Sequence, residues 1–344
     1  MRIIITGASG LIGTNLAVRL LEGGHAVFGV DQRPNPWEPR VPVHVQDLRL
    51  PHGDADRAAW RAFGPADAVV HLAARAKVHE SVERPENALD NYKITFGVLE
   101  YCRLAGAERA GAEGGEKPVP VVYGSSRETY GEQNTFPVPE EAVRLEGAAS
   151  PYAAAKLADE ALIRAYGRCY GLDHVIIRYS NVYGRYDDYN RLGRFLPILF
   201  DRVPSGETVP IYGAEKAYDF TYIDDAVDGT LAAVEQLVAD ARGRNPQWVS
   251  GHAINLGTGE PTTLLAAAEI VARAAGMAPR LDPQPMRAGE ISRYVADLSK
   301  ARALLGYEPH WPPERGIPAF FEWWRAYYAG RTAAPQPTSE PGPR

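Results

Sequence analysis

Cysteine is almost missing from this sequence, which has two in 344 residues, Cys102 and Cys169. Two thiols are too few for a disulfide framework or a cysteine-based zinc site, so we expect both to be idle. Basic runs are missing too, and the formal net charge of -6 argues against nucleic acid as a partner. No apolar stretch is long enough to span a bilayer, and Arg2 already belongs to the first predicted strand, which leaves no room for a signal peptide. These absences predict a cytoplasmic protein that binds neither nucleic acid nor membranes.

What the sequence does contain is the alternation of an α/β fold. Helical segments alternate with short apolar runs, which lie at residues 2–6, 26–30, 68–73, 119–123 and 175–179. This order predicts a Rossmann-like, doubly wound parallel sheet with its ligands beyond the carboxyl ends of the strands.

The same pattern divides the chain into two parts and a tail. We expect a nucleotide-binding domain over residues 1–183, with later segments crossing back to it, and a smaller α/β substrate domain mainly over residues 184–330. Residues 331–344 are Pro-rich and polar, and we predict that they are disordered.

The clearest cofactor signal lies at the N-terminus, where RIIIT leads into GASGLIG. Gly7, Gly10 and Gly13 let the backbone approach a pyrophosphate, and the following helix N-terminus adds N–H groups and a favourable dipole. The second strand is closed by Asp31, where a carboxylate can bond a ribose 2′-hydroxyl and disfavours a 2′-phosphate. This unit therefore predicts NAD in preference to NADP.

The segment SPYAAAK, residues 150–156, places Tyr152 and Lys156 four residues apart on a predicted helix. Residues at this spacing share a helix face. A neighbouring ammonium favours the phenolate, so we expect Lys156 to lower the pKa of Tyr152 and make it an acid/base catalyst. Such a pair also occurs by chance on helices, but the presence of the glycine motif in the same chain favours the catalytic interpretation.

Further motifs follow in order along the chain. They are HLAA (71–74), ESVERP (80–85), Asn91, SSRETYG (125–131), RYSNVYG (178–184), DFTYIDD (219–225), NLGTGE (255–260) and RAGEISRYVADLSKARALLGYEP (287–309). From Arg2 to about Tyr328 the chain resembles the extended short-chain dehydrogenase/reductases of the nucleotide-sugar epimerase/dehydratase group. The resemblance implies a NAD-dependent enzyme that acts on a nucleotide-diphosphate sugar.

The resemblance also implies roles for individual residues. Tyr152 takes the proton of the sugar 4-hydroxyl as hydride leaves C4, which gives a transient 4-keto sugar. Ser126 hydrogen-bonds the 4-oxygen, Lys156 binds the nicotinamide ribose, and Asn91 completes the family's tetrad in a structural role. The cofactor-binding residues expected are Gly7, Gly10, Leu11, Ile12, Gly13, Asp31, Asp47, Leu48, Leu72, Ala73, Ala74, Asn91, Tyr152, Lys156 and Tyr179.

On the substrate side, the resemblance implies that Asn181 contacts the diphosphate and that Arg287 pairs with it, as a guanidinium fork suits phosphate oxygens. A solvated loop arginine is the alternative for Arg287. Many relatives carry Arg just before the DF of DFTYIDD, where this chain has Tyr218. One expected diphosphate contact is therefore missing or is supplied by another cation, such as Arg194.

Which reaction follows from the 4-keto sugar stays open at this point. A 4-epimerase acting on a UDP-hexose or UDP-uronate is the first hypothesis, because it needs only the Ser/Tyr/Lys set. Glu128 stands where the dehydratases of the group read TDE and the decarboxylases TSE, so a UDP-glucuronate decarboxylase or a nucleotide-sugar dehydratase that uses Glu128 is the alternative. Arg127 stands where the dehydratases have an Asp that helps to expel the 6-hydroxyl, and this difference weakens the dehydratase hypothesis. A third hypothesis is a NAD-binding sensor that has lost its catalytic activity. The complete Ser126, Tyr152 and Lys156 set argues against it.

Arg127 allows two interpretations. Beside the sugar it could pair with a C6 carboxylate, and Arg185, Arg191 and Arg194 follow in the next loop toward the substrate. Alternatively, it faces solvent or forms an ion pair with Glu128.

Metal ions and subunit contacts complete the expectations. The paired acids Asp187/Asp188 and Asp224/Asp225 are of a kind that mostly lies at surfaces or caps, and hydride chemistry needs no metal, so we predict none. The family usually dimerises through two helices per subunit, and residues 87–104 and 151–170 match them. We therefore expect a homodimer.

Overall fold

The computed structural model describes residues 1–49, 64, 66–109, 117–187, 194–245 and 248–329. The tail predicted to be disordered, Asp188 and Arg191 lie outside these residues. Within them, no helix combines the length and the apolar character that crossing a membrane requires.

The strands and helices follow one another in the predicted alternation. The strands are β1 (Arg2–Thr6), β2 (Ala26–Asp31), β3 (Val43–Val45), β4 (Ala68–His71), β5 (Val121–Ser126), β6 (His174–Tyr179), β7 (Asn181–Tyr183), β8 (Thr208–Tyr212), β9 (Ala217–Tyr222), β10 (Ala253–Leu256), β11 (Pro261–Thr263), β12 (Arg280–Gln284) and β13 (Arg293–Tyr294). The helices are α1 (Leu11–Glu22), α2 (Val78–Glu83), α3 (Glu86–Arg109), α4 (Pro151–Tyr170), α5 (Phe195–Arg202), α6 (Ile223–Ala241), α7 (Leu264–Ala275), α8 (Ser299–Leu305) and α9 (Pro313–Ala329).

A seven-stranded sheet in the order β10-β6-β5-β4-β1-β2-β3 forms the centre of the molecule. All of its neighbouring strands run parallel. The order steps outward from β1 in both directions, which is the pattern of a doubly wound sheet. Its outermost strand β10 comes from the second half of the chain, so a later segment crosses back to the N-terminal sheet.

Both faces of this sheet are covered by helices. Alternate residues of β1 point to opposite faces, so that Ile3 and Ile5 belong to one apolar core and Ile4 to the other. Helices α1 and α6 contribute to the first core, and α3 and α4 to the second. Strands buried on both sides read as continuous apolar runs, which explains why RIIIT carries no alternation.

The smaller α/β part is built from short strands after residue 180. Strands β11, β9 and β13 form one sheet in which β7 also pairs with β9, and β12 pairs with β8. Helices α7 and α9 pack against each other beside it. The predicted doubly wound sheet with a smaller C-terminal α/β part is confirmed.

Helix α4 has well-defined ends. The Ser150 side chain accepts a hydrogen bond from the Ala153 backbone N–H, and Pro151 occupies the first helical turn. Both features favour a helix start. At the other end Gly171 takes a left-handed conformation, with φ of 71°, which ends the helix without strain. These caps fix the register of the residues between them.

The inner face of α4 is tied to β6 by a buried ion pair. Arg178 is 1% exposed, and its Nε and Nη2 donate to the two carboxylate oxygens of Glu160 at 2.9 and 2.7 Å. Its Nη1 donates to the hydroxyl of Tyr130 and the carbonyl of Glu140. The pair thus joins α4, β6 and the loop after β5.

We predict that Glu160→Gln destabilises the fold by about 3–5 kcal/mol, because it leaves a buried guanidinium without its counter-charge. Urea unfolding followed by circular dichroism measures this change. The matched control is Glu308→Gln, whose partner Arg302 is half exposed at 51%, and it should cost at most about 1 kcal/mol. Equal effects of the two variants would contradict the assignment.

Candidate active site

One cavity of about 710 Å³ opens where β1, β2, β4, β5 and β6 end. It is lined by the glycine segment after β1, by Asp31 at the end of β2, and by Ser126 at the end of β5. Ligands of doubly wound sheets bind at this edge. The cavity therefore lies where this fold is expected to bind its ligand.

The glycine turn brings backbone atoms closer than any side chain would permit. A Cβ at Gly13 would lie 2.1 Å from the Gly7 carbonyl oxygen, and one at Gly7 would lie 2.8 Å from the backbone nitrogen of Ala73. Gly7 also has a φ of 75°, in the region that favours glycine. Helix α1 begins directly after Gly10 with no side-chain cap, so its first N–H groups are left for a ligand.

Two carboxylates line the cavity beyond this turn. Asp31 accepts a hydrogen bond from the Ser9 backbone N–H at 3.1 Å. Asp47 pairs with Arg49 at 2.6 Å, and this guanidinium lowers the pKa of the Asp47 carboxyl. The glycine turn, which has no room for a Cβ, and the N–H groups at the start of α1 fit the diphosphate of NAD. The carboxylate of Asp31 at the end of β2 fits its ribose.

Ser126 and Tyr152 meet at the other end of the cavity. Tyr152 is 7% exposed and lies in the first turn of α4. Its backbone N–H donates to the Ser81 hydroxyl at 3.2 Å. Burial raises the pKa of the Tyr152 phenol to about 12, and a hydrogen bond with Ser126 acts in the opposite direction. A phenol and a hydroxyl are thus placed to contact the same substrate oxygen.

Lys156 lies one turn further along α4 and is 3% exposed. Its ammonium donates to the Tyr123 hydroxyl at 3.0 Å and to the Gly124 carbonyl at 2.7 Å. The Tyr123 hydroxyl in turn donates to Asp159 at 2.7 Å. Burial lowers the pKa of Lys156 to about 8, although the charges of Asp159 and Glu160 oppose this shift.

The pKa of Tyr152 differs from the sequence-based expectation. We expect from the spacing that Lys156 lowers it, yet it is raised. The reason is that both groups are buried and the ammonium is directed to Tyr123 and Gly124, with its Nζ 5.9 Å from the centre of the Tyr152 ring. Desolvation of the phenolate therefore dominates.

Arg127 and Glu128 lie in a 3₁₀ turn, Arg127–Tyr130, directly after Ser126. Arg127 Nη2 is 3.0 Å from Glu128 Oε1, which is the ion pair considered as an alternative above. The guanidinium also lies over the ring of Tyr218, 4.1 Å from its centre. The pair is buried and lines the cavity beside the reacting groups.

The nearby arginines that were candidates for binding a sugar carboxylate have carboxylate partners of their own. Arg185 pairs with Asp224, and Arg194 Nε is 3.5 Å from Asp187. Asp225 accepts the backbone N–H groups of His310 and Trp311. These acids are therefore engaged in structural contacts.

Most of the residues singled out from the sequence line this one cavity. They are Ser126, Glu128, Tyr152 and Lys156; Gly7, Gly10, Leu11, Ile12, Gly13, Asp31, Asp47, Leu48, Leu72, Ala73, Ala74 and Tyr179; and Arg127, Asn181 and Arg194. Asn91 and Arg287 do not. Asn91 holds the backbone of Arg75 through two hydrogen bonds, and Arg287 is exposed with its guanidinium 3.8 Å above the Tyr212 ring.

Other cavity residues were missed by the sequence interpretation. They include Ser9, Arg33, Arg49, Arg75, Lys77, Glu80, Tyr183, Tyr186, Asp187 and Phe220. Arg33 and Arg49 each lie two residues after a predicted acidic ligand, so their position beyond strand ends was a usable signal. Phe220 and Tyr183 read as ordinary core residues, and nothing local distinguishes them.

Comparisons with known proteins agree with this geometry. The model of the NAD dependent epimerase/dehydratase family matches residues 3–257. A UDP-glucose 4-epimerase of Mycolicibacterium smegmatis is 30% identical over 94% of this chain and 99% of its own length. Among solved structures, UDP-glucose 4-epimerase from Thermotoga maritima with UDP-glucose has a TM-score of 0.83 at 27% identity, covering 95% of this chain and 99% of its own. UDP-glucuronic acid 4-epimerase from Bacillus cereus with UDP-glucuronic acid and NAD has a TM-score of 0.79 at 26% identity, covering 95% and 100%.

We predict that Asp159→Asn moves the alkaline loss of NAD binding to lower pH. The charge of Asp159 raises the pKa of Lys156, so its removal lowers that pKa below about 8. The ammonium exists below its pKa and is then lost earlier as the pH rises. Calorimetric titration of NAD across neutral and alkaline pH measures the midpoint. Superimposable curves for Asp159→Asn and the wild type would contradict this role, and Asp228→Asn, in an exposed ion pair with Arg19, is the control.

Proposed function

Since the chain belongs to the NAD dependent epimerase/dehydratase family, we propose that it is a nucleotide-sugar 4-epimerase that acts on a UDP-sugar through a transient 4-keto intermediate. The observation that carries the proposal is the meeting of Ser126, Tyr152 and Lys156 in one cavity with the glycine turn. Similarity to UDP-sugar 4-epimerases along the whole chain supports it.

NAD would be held by the glycine turn, with Asp31 at the adenosine ribose and Lys156 at the nicotinamide ribose. The chemistry that it supplies when bound is reversible hydride transfer at C4 of the sugar. Tyr152 takes the 4-hydroxyl proton as the hydride departs and gives a proton back when the hydride returns to the other face of the ketone. Ser126 orients the 4-oxygen through its hydroxyl, and Lys156 keeps a positive charge next to the ribose at neutral pH. Protons and electrons balance over the cycle, since each returns to the sugar.

A second candidate reaction is elimination or decarboxylation at the 4-keto sugar. It is favoured by one observation: Glu128 Oε2 is buried without a hydrogen-bond partner, and Glu128 lines the cavity together with Ser126 and Tyr152. A base at this place could remove the C5 proton, which the 4-ketone acidifies. The two reactions can be distinguished in deuterated buffer, because only removal of the C5 proton allows deuterium to enter at C5.

We predict inversion at C4 without deuterium entry at C5 when UDP-glucose or UDP-glucuronate is incubated with the protein in deuterated buffer. Proton NMR of the sugar ring reads both positions. Tyr152→Phe should lower kcat by about 10²–10⁴-fold, the usual contribution of a general acid–base group. Tyr170→Phe, on the same helix but 49% exposed, is the matched control. Deuterium at C5 or loss of C6 would instead assign the protein to the lyases.

We propose further that two copies of the chain associate through α3 and α4. Leu89, Tyr92 and Phe96 recur at i, i+3 and i+7 on α3, and are 55%, 39% and 40% exposed. Residues at this spacing share one face of a helix. An exposed apolar stripe of this kind suits a symmetric contact with a second copy.

We predict that light scattering after gel filtration gives twice the 37.6 kDa chain mass for the wild type. Leu89→Glu with Phe96→Glu should give the single-chain mass, because charges cannot be buried unpaired in the contact. Leu145→Glu is the control, since Leu145 is 76% exposed but lies outside α3 and α4. A wild type of single-chain mass would overturn the dimer.

A further inference from the structure

The 3₁₀ turn after Ser126 places a buried ion pair inside the cavity. Arg127 and Glu128 are only 8% and 6% exposed, and both line the cavity. The desolvation cost of a buried ion pair is offset only when further hydrogen bonds satisfy the remaining donors and acceptors of both partners. The pair therefore needs an explanation beyond packing.

Each partner has one polar atom left over. Arg127 Nη1 and Glu128 Oε2 are buried, and neither has a hydrogen-bond partner. A buried polar atom that stays unpaired costs free energy. One leftover atom is a donor and the other is an acceptor, so together they match a group that can accept and donate.

The pair is fixed next to Ser126 and Tyr152. The backbone N–H of Glu128 donates to the Ser126 hydroxyl at 3.2 Å, and Ser126 in turn bonds the Tyr152 phenol. A group this close to the 4-oxygen can contact the substituents of the neighbouring carbons C3 and C5. Of these, the C6 group on C5 is the one that differs between hexoses, pentoses and uronates.

The position of the Arg127 guanidinium is fixed by its neighbour Tyr218. Its guanidinium is stacked on Tyr218, whose hydroxyl donates to the Ile291 carbonyl at 2.7 Å. Of the other candidates for a sugar carboxylate, Arg185 pairs with Asp224 and Arg194 Nε lies 3.5 Å from Asp187, whereas Arg191 lies outside the described residues. Among the described residues that line this end of the cavity, Arg127 and Arg194 therefore each lie beside a carboxylate.

We propose that the Arg127–Glu128 pair selects a UDP-sugar with a neutral 6-hydroxyl and discriminates against a uronate, an inference that rests on the proposed 4-epimerase function. A hydroxyl accepts from Arg127 Nη1 and donates to Glu128 Oε2, so that both atoms are satisfied. A carboxylate at C6 satisfies the arginine but meets the Glu128 carboxylate, and like charges repel strongly in a buried site. The substrate proposed here is therefore a UDP-hexose and not the uronate that Arg127 could also bind.

The first test compares wild-type kcat/KM for UDP-glucose, UDP-xylose and UDP-glucuronate. We expect UDP-glucose to exceed UDP-glucuronate by at least about tenfold, as one repelled charge would produce. UDP-xylose has no C6 and should fall between them, since it offers neither the hydroxyl nor the carboxylate. A smaller preference for UDP-glucose, or a pentose that equals it, would overturn the inference while the epimerase function stands. Turnover of none of the three would overturn both.

The second test changes the pair itself. Glu128→Gln keeps the shape but removes the negative charge, so the ratio of UDP-glucose to UDP-glucuronate turnover should fall by about tenfold or more as Arg127 becomes free for the carboxylate. Glu308→Gln, in the exposed pair with Arg302, should leave the ratio unchanged. Calorimetric binding of both sugars to Tyr152→Phe with NAD measures the same preference without turnover. A ratio that does not move in Glu128→Gln would show that the pair does not read C6.

Discussion

The site depends on the mutual neutralisation of charges along one face of α4. Tyr152, Lys156, Asp159 and Glu160 lie at positions that all turn inward and are all buried. A buried ammonium without nearby carboxylates would lose its proton, and a buried guanidinium without one would destabilise the fold. Asp159 acts on Lys156 through Tyr123, and Glu160 pairs with Arg178. One helix therefore carries the proposed catalytic residues Tyr152 and Lys156 and also the carboxylates that keep their neighbours charged.

This constraint links the cavity to the core beneath it. Glu160 also accepts a hydrogen bond from Ser125 at 2.6 Å, and Ser125 precedes the Ser126 that contacts the phenol. The end of β5, the middle of α4 and the end of β6 are thus joined by buried polar contacts. Buried networks of this kind are specific when every member is satisfied. Not every member of the described region is satisfied: Asp159 Oδ1 has no hydrogen-bond partner, and neither have Arg127 Nη1 and Glu128 Oε2, which belong to residues at the cavity wall.

Much of the site could be predicted from the sequence because its signals are local. The glycine turn and the Tyr152/Lys156 spacing each follow from a few adjacent residues on one element, and these residues line the cavity, as do most of those that the family resemblance implies. Arg287 depends on how a distant loop folds over the sheet, and the structure places it on Tyr212. The orientation of Arg127 could not be predicted either, because Tyr218, which stacks on it, lies ninety-one positions away. Spacing determines which residues share a face, whereas long-range packing determines which partner they contact.

The two perturbed pKa values have a joint consequence for how the reaction begins. Burial raises the pKa of Tyr152 to about 12 and lowers that of Lys156 to about 8. Below the lower value the ammonium is charged and the phenol keeps its proton, and between the two values both groups are neutral. A phenolate next to an ammonium therefore does not form by simple titration of the ligand-free protein. We therefore expect ligand binding to lower the pKa of Tyr152, because a positive charge or a hydrogen-bond donor on the ligand stabilises the buried phenolate. The hydrogen bond between Ser126 and Tyr152, which acts to lower the pKa of the phenol, is already present in the ligand-free site.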